Sequence, residues 1–173
     1  MRLAFISNLP MQNLFGIAKK YFSGIPTREV KLPPMPKVFR KPLENQFRLL
    51  KIKTIKDIRS LEVDFPTIRL KDYQDSKPAG IIGSLIGHEG KGSLLSQLKE
   101  EGLVLSLSAG GGSSHPDINS FGISVSLTPK GLQNYERILH LVFNYIRMIR
   151  DHGVEEYTFK ENQTMAQINF DWK

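Results

Sequence analysis

The sequence contains no cysteine, which excludes disulfide bonds and thiolate metal sites. It also has no apolar run approaching the roughly 20 residues that a membrane-spanning helix needs. The opening segment Met1–Ser7 is too short to form the apolar core of a secretion signal. From these absences we expect a chain that neither crosses a membrane nor carries a targeting segment at its start.

The remaining composition is that of a folded domain. With 173 residues, of which 40% are hydrophobic, the chain is long enough to bury a core as one ordinary domain or two very small ones. Its net charge of +7 raises the question of nucleic acid. The basic residues are spread along the chain, however, without an aromatic-interleaved basic helix or an RNA-recognition motif. We therefore expect no nucleic-acid partner.

Periodicity predicts a strand, a helix and a linker in the first part of the chain. Arg2–Ser7 reads as a short buried strand, and Pro10 opens an amphipathic helix that ends near Gly24. Five prolines then fall within residues 25–42, where they remove backbone donors and favour extended conformations. This segment is predicted to be a linker or a belt over a surface.

The rest of the chain alternates strand and helix patterns in blocks. Strands are predicted at Phe47–Lys53 and Arg59–Phe65, which we expect to pair or to lie side by side, and at Leu103–Ala109 and Phe121–Leu127. Helices are predicted from Pro78 to Ile86, over Ser93–Glu101, from Pro129 to about Asp151 with Thr128 as N-cap, and from Val154 onward. Gly110–Ser114 is predicted to lie in a glycine- and serine-rich loop that is mobile unless something binds it. The fold class that follows is α+β, a mixed or antiparallel sheet with helices packed on one face.

No catalytic constellation is evident from the residues alone. The four histidines form no ligand cluster, and His152 to Glu156 has the spacing of an inverted zinc motif except that Glu156 stands in place of the second histidine. Gly153 is expected to break the helix there, so we interpret this segment as a helix boundary. Gly90-Lys91-Gly92-Ser93 lacks the spacing of a phosphate-binding loop. Gly80, Gly83 and Gly87 share one helix face, where close packing and function remain equally open.

One run carries a family resemblance. Residues 83–99, which read GSLIGHEGKGSLLSQLK, are similar to a segment of the insulysin and pitrilysin group of M16 zinc metallopeptidases. Residues 55–66, 98–102, 125–132 and 143–146 resemble further segments of that group in the same order. The resemblance implies one M16 inactive-type domain over residues 1–173, a fragment of a larger protease whose zinc lies on a preceding domain. This chain is expected to hold no cofactor and to be inactive alone.

The resemblance also implies a peptide-binding exosite. Its residues would be Gly83, Ser84, Leu85, Gly87, Glu89, Leu107, Ser108, Ala109, Gly110 and Gly111. An extended peptide can add to an exposed strand edge through backbone hydrogen bonds, and Glu89 could pair with its amino terminus. Ser84 stands where relatives carry a histidine. The implied function is a substrate-anchoring, chamber-forming domain that works with the other domains of the protease. The alternative is a free-standing binding or scaffold module of the same fold.

Overall fold

A computed structural model describes residues 3–29, 48–115 and 118–172. The chain divides into two compact units, Met1–Pro36 and Lys37–Lys173. Helix α1, Met11–Phe22, forms the smaller unit and begins after Pro10, as predicted. Of the proline-rich segment, only residues 25–29 belong to the described part of the chain.

The strand predicted at Arg2–Ser7 is wrong over its described residues. Leu3–Ser7 is not paired in a sheet, and the side chains of Leu3 and Ile6 are exposed. The described part of this unit contains α1 but no second strand that could pair with the segment. What holds this segment to α1 includes the edge-to-face packing of Phe5 on Phe22, whose ring centroids lie 6.1 Å apart.

The larger unit is built on a three-stranded antiparallel sheet. Its strands are β1 (Ser60–Pro66), β2 (Val104–His115) and β3 (Ile118–Leu127), in the order β1-β3-β2. Ile123 of the central strand lies opposite Val63 on one side and Ala109 on the other. This register aligns the apolar residues of all three strands on one face.

Helices cover that apolar face. They are α2 (Pro78–Ile86), α3 (Leu94–Glu100), α4 (Pro129–Gln133), α5 (Tyr135–His152) and α6 (Glu156–Asp171). The buried core joins the sheet residues Leu107, Ile123 and Val125 to the helix residues Leu98 and Ile138. The opposite face carries the exposed residues Ser60, Glu62, Asp64, Ser106, Ser108 and Ser126. The predicted α+β architecture with helices on one face is confirmed.

The strand predicted at Phe47–Lys53 is wrong, and so is its pairing with the next strand. Phe47 lies outside the described residues, and residues 48–53 are not in the sheet; Leu50 and Ile52 are exposed. β1 pairs instead with β3, where Leu61 meets Val125 across the ladder. Cross-strand apolar contacts of this kind decide pairing, and alternation within one segment does not reveal them.

The glycine-rich loop predicted at Gly110–Ser114 is also wrong, because β2 continues through it. Gly110, Gly111 and Gly112 lie opposite Gly122, Phe121 and Ser120 of β3. Glycine weakens a strand interior, and a glycine in a strand often marks a close backbone approach. Here that approach comes from α2 and from the short 3-10 helix Leu70–Tyr73.

Two helix starts are capped by side chains, and the cap at Thr128 was predicted. The Ser93 hydroxyl accepts a hydrogen bond from the Ser96 N–H at 3.1 Å, and the Thr128 hydroxyl accepts one from the Gly131 N–H at 3.0 Å. These bonds satisfy donors that a helix N-terminus leaves free. The single long helix predicted after Thr128 is interrupted at Asn134, which separates α4 from α5.

Candidate functional site

Helix α2 lies directly against the backbone of β2. Gly83 is buried, and a Cβ atom at that position would be 2.8 Å from the Ala109 carbonyl oxygen and 3.1 Å from the Gly110 Cα. A Cβ at Gly87 would be 3.8 Å from the Ala109 nitrogen. The two segments that the resemblance linked, one in α2 and one in β2, are therefore neighbours.

A second glycine makes the same contact from the strand side. A Cβ at Gly111 would be 2.6 Å from the Ala79 Cβ and 2.9 Å from Leu70 Cδ1. At Gly80, by contrast, the nearest atom would be the Lys77 Cβ at 3.9 Å. Close packing thus accounts for Gly83 and Gly111, but it does not account for Gly80, although Gly80 shares the helical spacing.

β2 is an edge strand of the sheet. Within the described ranges no fourth strand pairs with its outer side. Ser108 is exposed, and a Cβ at Gly110 would meet no atom within 4 Å. Leu107 is only 6% exposed because its side chain belongs to the core. What Leu107 can offer a ligand is its backbone, whereas Ser108 and Gly110 face open space on the solvent-exposed face of the sheet.

Ser84 and Leu85 face a different neighbour. Asn162 of α6 donates a hydrogen bond to the Ser84 hydroxyl at 3.0 Å, and that hydroxyl donates to the Ile81 carbonyl at 2.8 Å. The Tyr145 hydroxyl donates to the Leu85 carbonyl at 3.4 Å. The candidate exosite residues of α2 are therefore divided, with Gly83 and Gly87 toward β2 and Ser84 and Leu85 toward α5 and α6.

A cavity of about 310 Å³ lies at this second side of α2. Tyr145 of α5 and Thr158, Glu161 and Asn162 of α6 contribute to its lining. Burial, and secondarily the proximity of Tyr157, raises the pKa of Tyr145, so its hydroxyl stays protonated. Sequence analysis missed these residues. The sequence feature that could have indicated them is the pair of polar residues Thr158 and Asn162, which lie four positions apart and therefore share one helix face.

The turn after α2 presents a carboxylate to solvent. Helix α2 ends at Gly87, whose N–H donates to the Gly83 carbonyl at 2.8 Å, and the exposed Glu89 follows two residues later. The C-terminal end of a helix carries partial negative charge, which attracts cations. Glu89 adds a full negative charge beside it. This corner of the molecule thus favours a positively charged group.

The residues around His152 do not fit a zinc site. The His152 Nδ1 lies 3.1 Å from the Met148 carbonyl oxygen of its own helix, and Glu156 forms an ion pair with Lys160 at 2.7 Å. Gly153, with φ of +79°, separates the two helices, whereas paired zinc ligands need one continuous helix face. Across the residues that are described, no group of three or more His, Asp or Glu side chains could hold a metal.

The chain is similar to known peptidases over nearly its whole length. Residues 1–165 match the family model described as the Peptidase M16 inactive domain. The insulin-degrading enzyme of Drosophila melanogaster is 37% identical over 175 residues, covering 100% of this chain and 17% of that protein. The A-factor-processing enzyme of Saccharomyces cerevisiae is 34% identical over 130 residues, covering 75% of this chain and 13% of that protein.

The fold comparison agrees with the sequence comparison. The crystal structure of pitrilysin superposes with a TM-score of 0.78 at 25% identity, covering 96% of this chain and 18% of the pitrilysin chain. The chain therefore spans less than a fifth of the length of each of these relatives. No helix in the described ranges has the length and apolar character needed to cross a membrane.

Proposed function

The chain belongs to the M16 peptidase family as its inactive domain, and we propose that it anchors one end of a peptide substrate while forming part of a proteolytic chamber. The observation that carries this proposal is the contact of α2 with the edge strand β2 through Gly83 and Gly111. It sets small residues of α2 beside a strand edge, and the exposed carboxylate of Glu89 follows α2 in the chain.

The strand edge supplies the main attraction in this proposal. An extended peptide can pair with the outer edge of β2 through backbone hydrogen bonds, which are indifferent to most side chains. No described strand covers the outer side of β2, and Ser108 and Gly110 leave the adjoining sheet face open, so a peptide can approach the edge. The anchoring would therefore tolerate many peptide sequences.

The amino terminus of the peptide is the end that this surface suits. Glu89 and the C-terminal end of α2 both favour a positive charge, and a free amino terminus supplies one. The exposed Lys91, two residues further on, opposes this attraction in part. We therefore assign the role of pairing with the peptide amino group to Glu89.

Exposed apolar side chains on the described surface suggest where further domains of the proposed protease make contact. They occur in segment 48–58, in helix α6 and at the residue that follows it, and include Leu50, Ile52, Phe170 and Trp172. Such side chains are suited to contact further domains of the same protease. We propose that residues 1–173 act as one inactive-type domain and that the zinc of the protease is bound on another domain.

The test is a titration of an extended peptide that carries a dye at its carboxyl end. The peptide is used with a free amino terminus and with an acetylated one, and binding is followed by fluorescence anisotropy. Ser108→Trp places a bulky group beside the β2 edge, while Ser60→Trp, on the same sheet face of the opposite edge strand β1, is its matched control. Glu89→Gln removes the proposed charge partner, and Glu100→Gln removes an equal charge from α3.

We expect saturable binding of the free peptide that is weakened by acetylation, by Ser108→Trp and by Glu89→Gln. For an exposed ion pair the loss from Glu89→Gln should be about two- to fivefold. The two control variants should bind as the parent chain does. Equal losses in Ser108→Trp and Ser60→Trp, or no saturable binding at all, would contradict the proposed anchor.

A further inference from the structure

The cavity between α2, α5 and α6 has a charge pattern opposite to that of the whole chain. The chain carries a net charge of +7, yet none of the described side chains that line this cavity belongs to Lys or Arg. Glu161 is the carboxylate of the lining, and it is exposed at the mouth. The lining also includes the imidazole of His88, so a cation in the cavity lies away from any Lys or Arg of the lining but near one histidine.

A buried hydroxyl of the same cavity is unpaired. The Thr158 side chain is 6% exposed, and its Oγ1 has no hydrogen-bond partner in the described part of the chain. Thr164, on the same helix, shows the usual alternative, because its hydroxyl donates to the Lys160 carbonyl at 2.9 Å. A buried polar atom without a partner costs free energy. Thr158 is among the residues that line the cavity, so a rotation of its side chain would bring this buried, unpaired hydroxyl to a donor in the cavity.

Aromatic and thioether groups complete the lining. Tyr145 of α5 lies close enough to Tyr157 of α6 for Tyr157 to raise its pKa, and Met165 of α6 also lines the cavity. Aromatic ring faces attract cations, and tyrosine hydroxyl oxygens accept hydrogen bonds from N–H donors. A carboxylate, a free hydroxyl acceptor and two phenol rings together make a lining that suits a single organic cation.

We propose that this cavity binds the cationic end of a basic peptide side chain, an ammonium or a guanidinium group. Glu161 forms the ion pair, Thr158 Oγ1 accepts an N–H hydrogen bond, and the tyrosines surround the aliphatic stem. At about 310 Å³ the cavity is at the lower end of the size range of small-ligand sites, which suits one side chain. This site goes beyond the amino-terminal anchor, because it lies on the other side of α2 from β2.

The experiment uses the 173-residue chain with isotope-labelled methyl groups and amides, observed by NMR. The probe is a tripeptide, alanyl-lysyl-alanine, blocked at both ends. Its first control replaces lysine by norleucine, which keeps the aliphatic stem and removes the charge. A second control is the norleucine tripeptide with a free amino terminus, which separates a side-chain cation from a terminal one.

We expect the lysine probe to shift the methyl signals of Thr158 and Met165 in a saturable way, and neither norleucine peptide to do so. Glu161→Gln should raise the dissociation constant about two- to fivefold, as for an exposed ion pair. Thr158→Val should raise it about three- to tenfold, as for the loss of one hydrogen bond. Their matched controls, Glu100→Gln and Thr164→Val, should leave it unchanged. Thr158→Val should also leave the free chain as stable as before or more stable, since its hydroxyl has no partner to lose.

Two results would overturn the proposal. One is an equal response to the lysine and blocked norleucine probes, which would make the cavity an apolar slot. The other is a response to the free amino terminus alone, which would remove the side-chain assignment. Signals of Ser108 and Gly110 on β2 report the peptide anchor separately, so failure of either site is recognised without reference to the other.

Discussion

Replacing Gly83 by alanine should separate packing from helix propensity, because Gly80 on the same helix provides the control. At Gly83 the new Cβ would be 2.8 Å from the Ala109 carbonyl oxygen, closer than real Cβ atoms come to backbone. At Gly80 the nearest atom would be 3.9 Å away. Alanine itself favours a helix over glycine by roughly 0.5–1 kcal/mol at either position.

The expected changes therefore have opposite signs. Overpacking costs about 1–3 kcal/mol, so Gly83→Ala should lower the free energy of unfolding by up to about 2 kcal/mol after the propensity gain. Gly80→Ala should raise it by up to about 1 kcal/mol. Urea denaturation measures both, and an unchanged dependence on urea concentration would show that the unfolding transition is the same. If both variants were stabilised alike, the close contact between α2 and β2 would be refuted.

Three further substitutions test the packing and charge of the larger unit. Leu98→Ala, at a side chain with 0% exposure, should cost about 2–5 kcal/mol in urea unfolding, whereas Leu105→Ala, at 64% exposure, should cost far less. Ser93→Ala removes the N-cap of α3 and should cost about 1 kcal/mol of the same unfolding free energy. The hydrogen bond from the Arg137 guanidinium holds the pKa of Glu101 below its ordinary value, so Arg137→Gln should lower the thermal midpoint at neutral pH.

The lowered pKa of Glu101 determines how the effect of Arg137→Gln on the thermal midpoint changes with pH. A carboxylate whose pKa is lower in the folded chain stabilises that chain above its unfolded pKa, and this contribution is lost as pH falls through the folded value. The difference in thermal midpoint between the parent and Arg137→Gln should therefore be largest at neutral pH and shrink in acid. A difference that grew in acid would contradict this role. Equal losses in Leu98→Ala and Leu105→Ala, or no loss in Ser93→Ala, would contradict the packing and the cap.

Local chemistry predicted the helix starts, since a cap depends on residues only a few positions apart. Thr128 is the example, and the same chemistry explains the cap that Ser93 forms on α3, which the sequence analysis did not identify. The break at Asn134 was missed, although it too is local: the Asn134 side chain donates to the Lys130 carbonyl at 2.7 Å and its N–H bonds the same carbonyl. Asparagine competes for backbone groups in this way and can interrupt a helix.

Strand pairing was harder to predict because it depends on residues far apart in the chain. Residues 48–53 alternate like a strand but have no place in the sheet. Gly110–Gly112 has the composition of a loop but pairs with β3. Glycine is needed at position 111 because Ala79 and Leu70 approach it closely. Nothing within either segment encodes these contacts.

The candidate site was predictable only in part. The family resemblance selected segments of α2 and β2, and the structure brings them together through Gly83 and Ala109. It did not indicate that Ser84 would face Asn162, because the rotation of α2 against α6 is fixed by packing between distant segments. The cavity beside Thr158 could be found only after that packing was known.

Residue-resolved hydrogen exchange is the most direct measurement of the proposed peptide anchor. The chain is compared with and without an extended peptide that has a free amino terminus. Pairing at the sheet edge should slow exchange of the outward-facing amides of β2 around Ser108–Gly112, while amides of the opposite edge strand β1 exchange as before. Unchanged exchange along β2 at saturating peptide, or equal slowing on β1, would contradict the anchor.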